Sequence, residues 1–308
     1  MHTYRQVLLL VLSFFSLNQA FAQELSERSL IKSMVFLSAD KLEGRRTGEK
    51  GNMEAREFIL NHFQKLNLDS HYTDYLQPFS FKSRRGEKEY EGVNVVAFIP
   101  GTESKKLIVV TAHYDHVGIG RKNAEGDSIY NGADDNASGT AALLEMATFF
   151  SNNPPKHGII FAALDAEELG LQGARALVRD FPFPLEQVLL NVNMDMISRN
   201  EKGELYVSGT HYNPGLKTIL EELAVDSFPK LKFGHDIPGT GADDWTRSSD
   251  HAAFFEKQIP HLYFGVEDHE DYHKPSDEYK NIDQKFFVSA AELILKCILQ
   301  LDEDLEKE

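Results

Sequence analysis

The chain has 308 residues, of which 42% are apolar and 26% charged, with 21 Gly and 11 Pro. This composition argues against a disordered, collagenous or coiled-coil protein and is typical of a globular protein with a sizeable core. The 48 acidic and 32 basic residues give a net charge of -16. Such a charge disfavours nucleic acid as a partner, because a nucleic-acid-binding protein neutralises phosphates with Lys and Arg.

The first 22 residues have the pattern of a secretory signal peptide. Arg5 precedes an apolar run from Val7 to Leu17, and Ala20-Phe21-Ala22 has the small residues of a cleavage site. The apolar run is shorter than the roughly 20 residues that a membrane-spanning helix needs. We therefore expect no membrane span, and a product exported to the periplasm or out of the cell. We expect the mature chain, residues 23–308, to form a single domain.

Apolar periodicity predicts the order of helices and strands in the mature chain. It predicts a helix over 53–66 and a last helix that begins after the N-cap Asp283 and buries the lone cysteine, Cys297. The polar segment 71–92 is expected to be a hairpin or an exposed loop. Helical patterns at 137–150 and 168–178 alternate with six predicted strands at 93–99, 107–111, 158–164, 188–192, 205–207 and 261–264. Because several strands are apolar on both faces, we predict an α/β fold with a mostly parallel, mixed central sheet between layers of helices.

Acidic and histidine side chains follow several of these strands. In open α/β sheets, ligands bind beyond the carboxyl ends of the strands. Any one of these side chains could be a helix cap or a hydrogen-bonding partner. Together, converging carboxylates and imidazoles would repel one another and be costly to bury unless a cation compensates them, and such a mixture without Cys favours zinc, or less strongly Mn, Co or Fe, over Ca²⁺ or Mg²⁺. The candidate residues are His113, Asp115, Asp134, Asp135, Glu167, Glu168, Asp195, Tyr272 and His273.

The candidates lie in short motifs that follow one another from about Met34 to the final helix. The motifs are LSADKLEGR at 37–45, NVVA at 94–97, IPG at 99–101, HYD at 113–115, GADDNASG at 132–139, DAEE at 165–168, NMD at 193–195, SDH at 249–251, and the stretch from Tyr272-His273 to Asp277. In this order they resemble the co-catalytic two-zinc aminopeptidase family, whose superfamily also includes glutaminyl cyclases and the transferrin-receptor ectodomain. The resemblance implies a phosphorylase/hydrolase-like zinc exopeptidase fold.

The resemblance also implies two zinc ions per chain, with a specific set of ligands. Asp134 would bridge both ions, and a cis peptide would follow it, between Asp134 and Asp135. Three protein ligands and one open position at each ion are the arrangement of catalytic zinc. One ion would be completed by His113 and Asp195, and the other by Glu168 and His273.

Three further residues receive roles from the resemblance. Glu167 would be the general base that takes a proton from the water between the two ions. Asp115 would orient the imidazole of His113, and Asp135 would lie beside the ligands without binding metal. Tyr272 would either stabilise the tetrahedral intermediate or serve only for packing.

The activity implied is that of an exported aminopeptidase acting on peptides with a free N-terminus. A glutaminyl cyclase, which uses one zinc ion and forms N-terminal pyroglutamate, is the alternative, although cyclases carry Trp where this chain has Tyr272. A non-enzymatic ectodomain is disfavoured because no expected ligand is missing. The roles of Arg247, Asp250 and His251, the side-chain preference and the oligomeric state stay open.

The remaining histidines and a second acidic motif are expected to lie outside the site. The GADD sequence at 241–244 repeats the one at 132–135 but follows a Pro/Gly-rich stretch, so we predict a simple turn. The histidines expected to be structural or solvated are His116, His157, His211, His235, His261 and His269.

Overall fold

The computed structural model describes residues 25–83, 86 and 88–305. The predicted signal peptide, 1–22, lies outside the described residues. Among the described residues, no helix has the length and apolar character needed to cross a bilayer.

An eight-stranded mixed sheet forms the centre of the fold, in the order β1-β2-β6-β3-β7-β10-β8-β9. The four central strands, β6, β3, β7 and β10, run parallel, while β2 and β8 pair antiparallel to this block. A separate two-stranded sheet contains β4 and β5. The strands are β1 (Leu76–Lys82), β2 (Glu89–Ile99), β3 (Leu107–His113), β4 (Gly118–Ile119), β5 (Ile129–Tyr130), β6 (Gly158–Leu164), β7 (Val188–Met194), β8 (Glu204–Ser208), β9 (Lys230–Phe233) and β10 (His261–Gly265).

Helices cover both faces of the sheet, as apolar strands require. Successive residues of β3 alternate between two cores: Ile108 and Val110 pack on one face, Leu107 and Val109 on the other. The first core contains α1, α2, α3, α5 and α7, and the second contains α4 and α6. The helices are α1 (Glu27–Leu37), α2 (Lys50–Lys65), α3 (Gly139–Asn152), α4 (Gln172–Arg179), α5 (Pro214–Ala224), α6 (His251–Phe255) and α7 (Gln284–Asp304).

The predicted fold class and all six predicted strands are confirmed, with small differences at their ends. The side chain of Asp283 caps α7 by accepting from the backbone N–H of Phe286, and Cys297 is buried. The polar segment 71–92 forms the β1–β2 hairpin. The prediction for α4 is wrong at its start: the helix begins at Gln172 rather than near Glu168, because Ala166 and Leu171 have positive φ and residues 165–171 form a loop.

Candidate metal centre

The carboxyl ends of β3, β6 and β7 bring most of the candidate residues to one edge of the sheet. His113 is the last residue of β3, Glu167 and Glu168 follow β6, and Asp195 follows β7. The loop before α3 and the loop after β10 close over this edge and contribute Asp135 and His273. The apolar strands therefore fix the separation of these polar groups, as expected for an open α/β sheet.

Two groups of potential ligands share the carboxylate of Asp135. In the first group, Nε2 of His113 lies 3.4 Å from Oδ1 of Asp135 and 3.2 Å from Oδ1 of Asp195. In the second, Nε2 of His273 lies 3.1 Å from Oδ2 of Asp135 and 3.3 Å from Oε1 of Glu168. Ligand atoms about 2.0–2.2 Å from a tetrahedral zinc ion lie roughly 3.3–3.6 Å from one another. The four distances, 3.1–3.4 Å, are at or slightly below this spacing, so the donors of each group are compatible with a bound zinc ion.

The shared acid is Asp135, and this corrects the prediction for both aspartates of the motif. Asp134 belongs to neither ligand group. Its Oδ1 accepts from the N–H of Ser198 at 2.7 Å, and its Oδ2 lies 3.0 Å from Nε2 of His269. The two adjacent side chains leave the turn in different directions, so only one can face the ligand groups. The cis peptide is also one residue later than expected, between Asp135 and Asn136.

Two features fix the backbone of the loop that carries Asp135: hydrogen bonds to Asp277 and a glycine at position 132. The carboxylate of Asp277 accepts from the backbone N–H groups of Asp134, at 2.9 Å, and Asp135, at 3.0 Å. Gly132 has a φ of +55°, and a Cβ atom there would lie only 2.1 Å from the carbonyl oxygen of Asp135. The motif therefore needs glycine at this position to present Asp135.

His116 lies in the site, contrary to the expectation that it is structural or solvated elsewhere. It belongs to the group with Asp135, Glu168 and His273. Its Nδ1 is 2.7 Å from Oε1 of Glu168, which is shorter than the spacing of two ligands on one tetrahedral ion. The geometry therefore favours His116 as a side chain that contacts and orients Glu168, with the other three residues as ligands.

Asp115 supports both glutamates as well as His113. Its carboxylate accepts from the backbone N–H of Glu167 at 3.0 Å and of Glu168 at 3.3 Å. Its backbone carbonyl oxygen lies 3.1 Å from Nδ1 of His113, which leaves Nε2 directed at Asp135 and Asp195. The expected role of Asp115 is thus compatible with the structure, but its backbone rather than its carboxylate makes the closest contact with His113.

The charges of the site depend on one another. Burial alone would lower the pKa of His273, but the carboxylates of Asp135 and Glu168 raise it to about 10. Burial raises the pKa of Glu168, yet the imidazoles of His116 and His273 bring it down to about 2. Imidazoles and carboxylates therefore compensate one another here, and a bound cation would displace the imidazole protons.

Glu167 and Tyr272 line a cleft of about 240 Å³ next to the shared carboxylate of Asp135. Burial raises the pKa of Glu167 well above its usual value; the His113 imidazole opposes this shift, and the Glu168 carboxylate adds to it. Burial also raises the pKa of Tyr272, whose ring stacks on that of His273 at 4.0 Å between centroids. Tyr272 thus keeps a phenolic proton that it can donate into the cleft.

Other residues of the motifs have structural surroundings. Asp250 and His251 are buried at the start of α6, where Nε2 of His251 lies 2.9 Å from the carbonyl oxygen of Trp245. Arg247 is exposed and pairs with Glu256 at 2.8 Å. The second GADD sequence forms the predicted turn, and neither of its aspartates is in a ligand group of the described residues.

Arg45 is a residue whose importance the sequence did not reveal. Its guanidinium is buried and donates to the carbonyl oxygens of Leu37, Tyr114, Asn131 and Gly132. It thereby joins the end of α1 to the segment that follows His113 and to the loop that carries Asp135. Its place in the LEGR motif is the one sequence signal, but nothing in that motif indicates which carbonyl groups it binds.

Comparisons with known proteins agree with this architecture. Aminopeptidase YwaD of Bacillus subtilis is 30% identical over 208 residues, which are 63% of this chain and 41% of that protein. The structure of a Bacillus subtilis zinc aminopeptidase, BSAP, matches with a TM-score of 0.70 at 19% identity, covering 89% of this chain and 95% of that one. Porphyromonas gingivalis glutaminyl cyclase matches with a TM-score of 0.74 at 17% identity, covering 91% and 99%.

The structural matches show that the fold is shared by zinc exopeptidases and a glutaminyl cyclase. Among curated relatives, the chain spans between 41% and 65% of the length of three that it matches. The family model described as peptidase family M28 matches residues 94–298, which include all the ligand residues. This chain therefore belongs to peptidase family M28.

Proposed function

We propose that this protein is a two-zinc aminopeptidase. The observation that carries the proposal is the pair of ligand groups sharing Asp135, which lines the same cleft as Glu167. Each group offers three protein ligands once His116 is assigned to Glu168, and this number leaves an open position for water or substrate. A single-zinc cyclase would need only one of the two groups.

The residues of the cleft can perform peptide hydrolysis. Two zinc ions at such a site lower the pKa of water and polarise a carbonyl group. Glu167 takes the proton of the attacking water and returns it to the leaving amine, which is the role of a general base that later acts as a general acid. The phenolic O–H of Tyr272 donates to the oxygen of the tetrahedral intermediate.

An acidic cleft also suits a substrate with a free α-amine. Asp268 lines the cleft but belongs to neither ligand group. A positively charged amine close to its carboxylate is stabilised by a charge-assisted hydrogen bond. An N-acetylated peptide lacks this charge, so we expect it to be a poor substrate.

The proposal is tested with zinc-loaded protein and leucine p-nitroanilide. We expect hydrolysis of the free-amine substrate, little hydrolysis of its N-acetyl form, and loss of activity in Glu167→Gln with metal content unchanged. Glu186→Gln, at an exposed glutamate, serves as the matched control and should keep full activity. Activity that survives in Glu167→Gln would refute the assignment of the base. Conversion of glutaminyl peptides to pyroglutamate without hydrolysis would replace the aminopeptidase with the cyclase.

We also propose that residues 1–22 direct export of the enzyme to the periplasm or the exterior. The proposal is supported by the sequence pattern alone. N-terminal sequencing of the protein recovered from each cell fraction tests it. We expect the protein found outside the cytoplasm to begin at Gln23. Protein that stays in the cytoplasm with its N-terminus intact would contradict the export proposal.

A further inference from the structure

The carboxylate of Asp165 fixes the first turn of the loop that carries the two glutamates of the site. Asp165 directly follows β6, is buried, and precedes Ala166, whose φ is +60°. Its Oδ1 accepts from the backbone N–H of Ala166 at 2.8 Å and from Nδ2 of Asn52 at 2.9 Å. Its Oδ2 accepts from the backbone N–H of Val93 at 3.0 Å. The carboxylate therefore holds the left-handed turn by which the chain leaves the strand.

The far end of this loop is anchored at the same place. Oδ1 of Asn94, on β2, accepts from the backbone N–H of Asp165 at 3.0 Å, and Nδ2 of Asn94 donates to the carbonyl oxygen of Gly173 at 2.8 Å. A Cβ atom at position 173 would lie only 2.2 Å from the carbonyl oxygen of Asp165. Both ends of the loop are thus fixed, which leaves the course of its middle, with Glu167 and Glu168, to be set by other contacts.

The middle of the loop is held by a second buried carboxylate, that of Asp115. Its Oδ1 accepts from the backbone N–H of Glu167, and its Oδ2 accepts from that of Glu168. Two carboxylates that follow the neighbouring strands β3 and β6 therefore direct the loop. Because like charges repel strongly in a buried site, a donor between the two carboxylates stabilises their position.

The hydroxyl group of Thr47 lies between these two carboxylates. Thr47 is buried in the segment between α1 and α2. Its Oγ1 is 3.0 Å from Oδ1 of Asp165 and 3.3 Å from Oδ2 of Asp115, and its single proton is shared between these acceptors. The same two oxygen atoms accept from the backbone N–H groups of Ala166 and Glu168. One hydroxyl group therefore links the two hydrogen bonds that set the course of the loop.

We propose that Thr47 is a positioning residue of the site, whose hydroxyl group holds the carboxylates of Asp115 and Asp165 in place. Through their hydrogen bonds to the loop, the two carboxylates direct Glu167 toward the attacking water and Glu168 toward its metal ion. This inference rests on the proposed aminopeptidase activity. Thr47 belongs to neither ligand group and does not line the cleft, so it acts through the two aspartates.

The test compares four variants of the zinc-loaded enzyme with the unmodified protein. Thr47→Val removes the hydroxyl group and keeps the shape of the side chain, and Thr47→Ser keeps the hydroxyl group. Thr47→Ala is a second way to remove it, for the case in which valine prevents folding. Thr148→Val is the matched control, because Thr148 is half-buried in the C-terminal half of α3 and donates to the carbonyl oxygen of Leu144 at 3.1 Å. Thermal melting checks that each variant is folded.

We expect Thr47→Val to slow the chemical step without weakening substrate binding. For leucine p-nitroanilide, kcat should fall about 10–100-fold while KM changes less than about threefold, because a small displacement of the base leaves the contacts with the substrate intact. Thr47→Ser should restore kcat to within about threefold of the unmodified value. Thr148→Val should lower the Tm and leave both kinetic constants unchanged, which is also the pattern that a purely structural role of Thr47 would produce.

Hydrogen–deuterium exchange of a peptide that covers residues 165–171 follows the loop independently of catalysis. The amides of Ala166 and Glu168 donate to the two oxygen atoms that Thr47 contacts. Their exchange should be about tenfold faster in Thr47→Val, because loss of the shared donor lowers the free energy of local opening. Exchange in Thr47→Ser and Thr148→Val should match that of the unmodified protein.

A folded Thr47→Val variant with unchanged kcat and unchanged exchange would overturn the inference. A Thr47→Ser variant as slow as Thr47→Val would also overturn it, because the hydroxyl group would then not be the group responsible. If the unmodified protein cleaves no p-nitroanilide while Thr47→Val still speeds exchange of the loop, the proposed activity fails and the positioning role is supported. If the unmodified protein cleaves the substrate and Thr47→Val behaves like Thr148→Val in both measurements, the activity is supported and the positioning role is refuted.

Discussion

Replacing Asp135 with Asn should remove zinc from the protein, whereas replacing Asp134 with Asn should leave both ions bound. Asp135 offers one carboxylate oxygen to each ligand group, so its loss affects both groups at once. The carboxylate of Asp134 contacts Ser198 and His269, in loops beside the ligand groups, and none of the ligands. The two substitutions change the same charge at adjacent positions and are therefore matched controls for each other.

The expected cost of Asp134→Asn follows from its two hydrogen bonds. Asn keeps a single acceptor oxygen, so one of the two donors is left without a partner in the buried site, at about 1–3 kcal/mol. For a chain of this size, each kcal/mol lowers the Tm by roughly 2–4 °C. Loss of an interaction that supports a ligand typically weakens metal binding about 10–100-fold. The variant should therefore melt several degrees lower and retain two ions at saturating zinc.

Elemental analysis after dialysis against trace zinc measures the outcome, with thermal melting alongside it. We expect about two zinc ions per chain for the unmodified protein and for Asp134→Asn, and fewer than one for Asp135→Asn. The opposite result, with zinc lost from Asp134→Asn and retained by Asp135→Asn, would show that the shared ligand has been assigned to the wrong aspartate.

Three further predictions concern the rest of the fold. Arg45→Met leaves four backbone carbonyl groups without their buried donor and should reduce the free energy of unfolding by about 3 kcal/mol or more; an unchanged urea midpoint would contradict this. Burial lowers the pKa of His261 to about 4 and that of His251 to about 3. Between pH 6.5 and these values, the two imidazoles are protonated in the unfolded chain but not in the folded one, so the free energy of unfolding falls as the pH drops below about 6.5. His261→Leu should reduce the loss of stability between pH 7 and pH 5 by on the order of 2 kcal/mol in urea titrations, and the same pH dependence in both proteins would count against it. Burial raises the pKa of Cys297 to about 12, so a disulfide reagent should modify this thiol only in denaturant, and rapid modification of the native protein would be inconsistent with the structure.

Much of the fold could be predicted because apolar runs carry the information that defines its strands. The strand at 158–164 has the predicted bounds, and the strands at 107–113 and 188–194 each extend by two residues, which places His113 of the site at the end of the first of them. The C-terminal helix was identified through its cap and its apolar stripe. These features depend on local sequence, so periodicity is sufficient to find them.

The sequence allowed most residues of the site to be predicted, but not all the contacts that they make. Two adjacent aspartates in a turn differ only in the direction of their side chains, and that direction depends on Asp277, far along the chain. His116 likewise belongs to the site through Glu168, which approaches it from the loop after β6. The late start of α4 follows from the backbone of Ala166, which turns the glutamates toward the site. The first two features depend on contacts between distant segments and the third on a left-handed backbone conformation at a residue other than Gly, and a single sequence reveals neither.

The central claim is that two zinc ions flank Asp135. Anomalous diffraction at the zinc edge, from crystals of the zinc-loaded protein, tests it most directly. We predict two peaks about 3.5–4 Å apart, one beside His113 and Asp195 and the other beside Glu168 and His273. A single peak, or a peak next to Asp134 in place of Asp135, would contradict the two-ion centre.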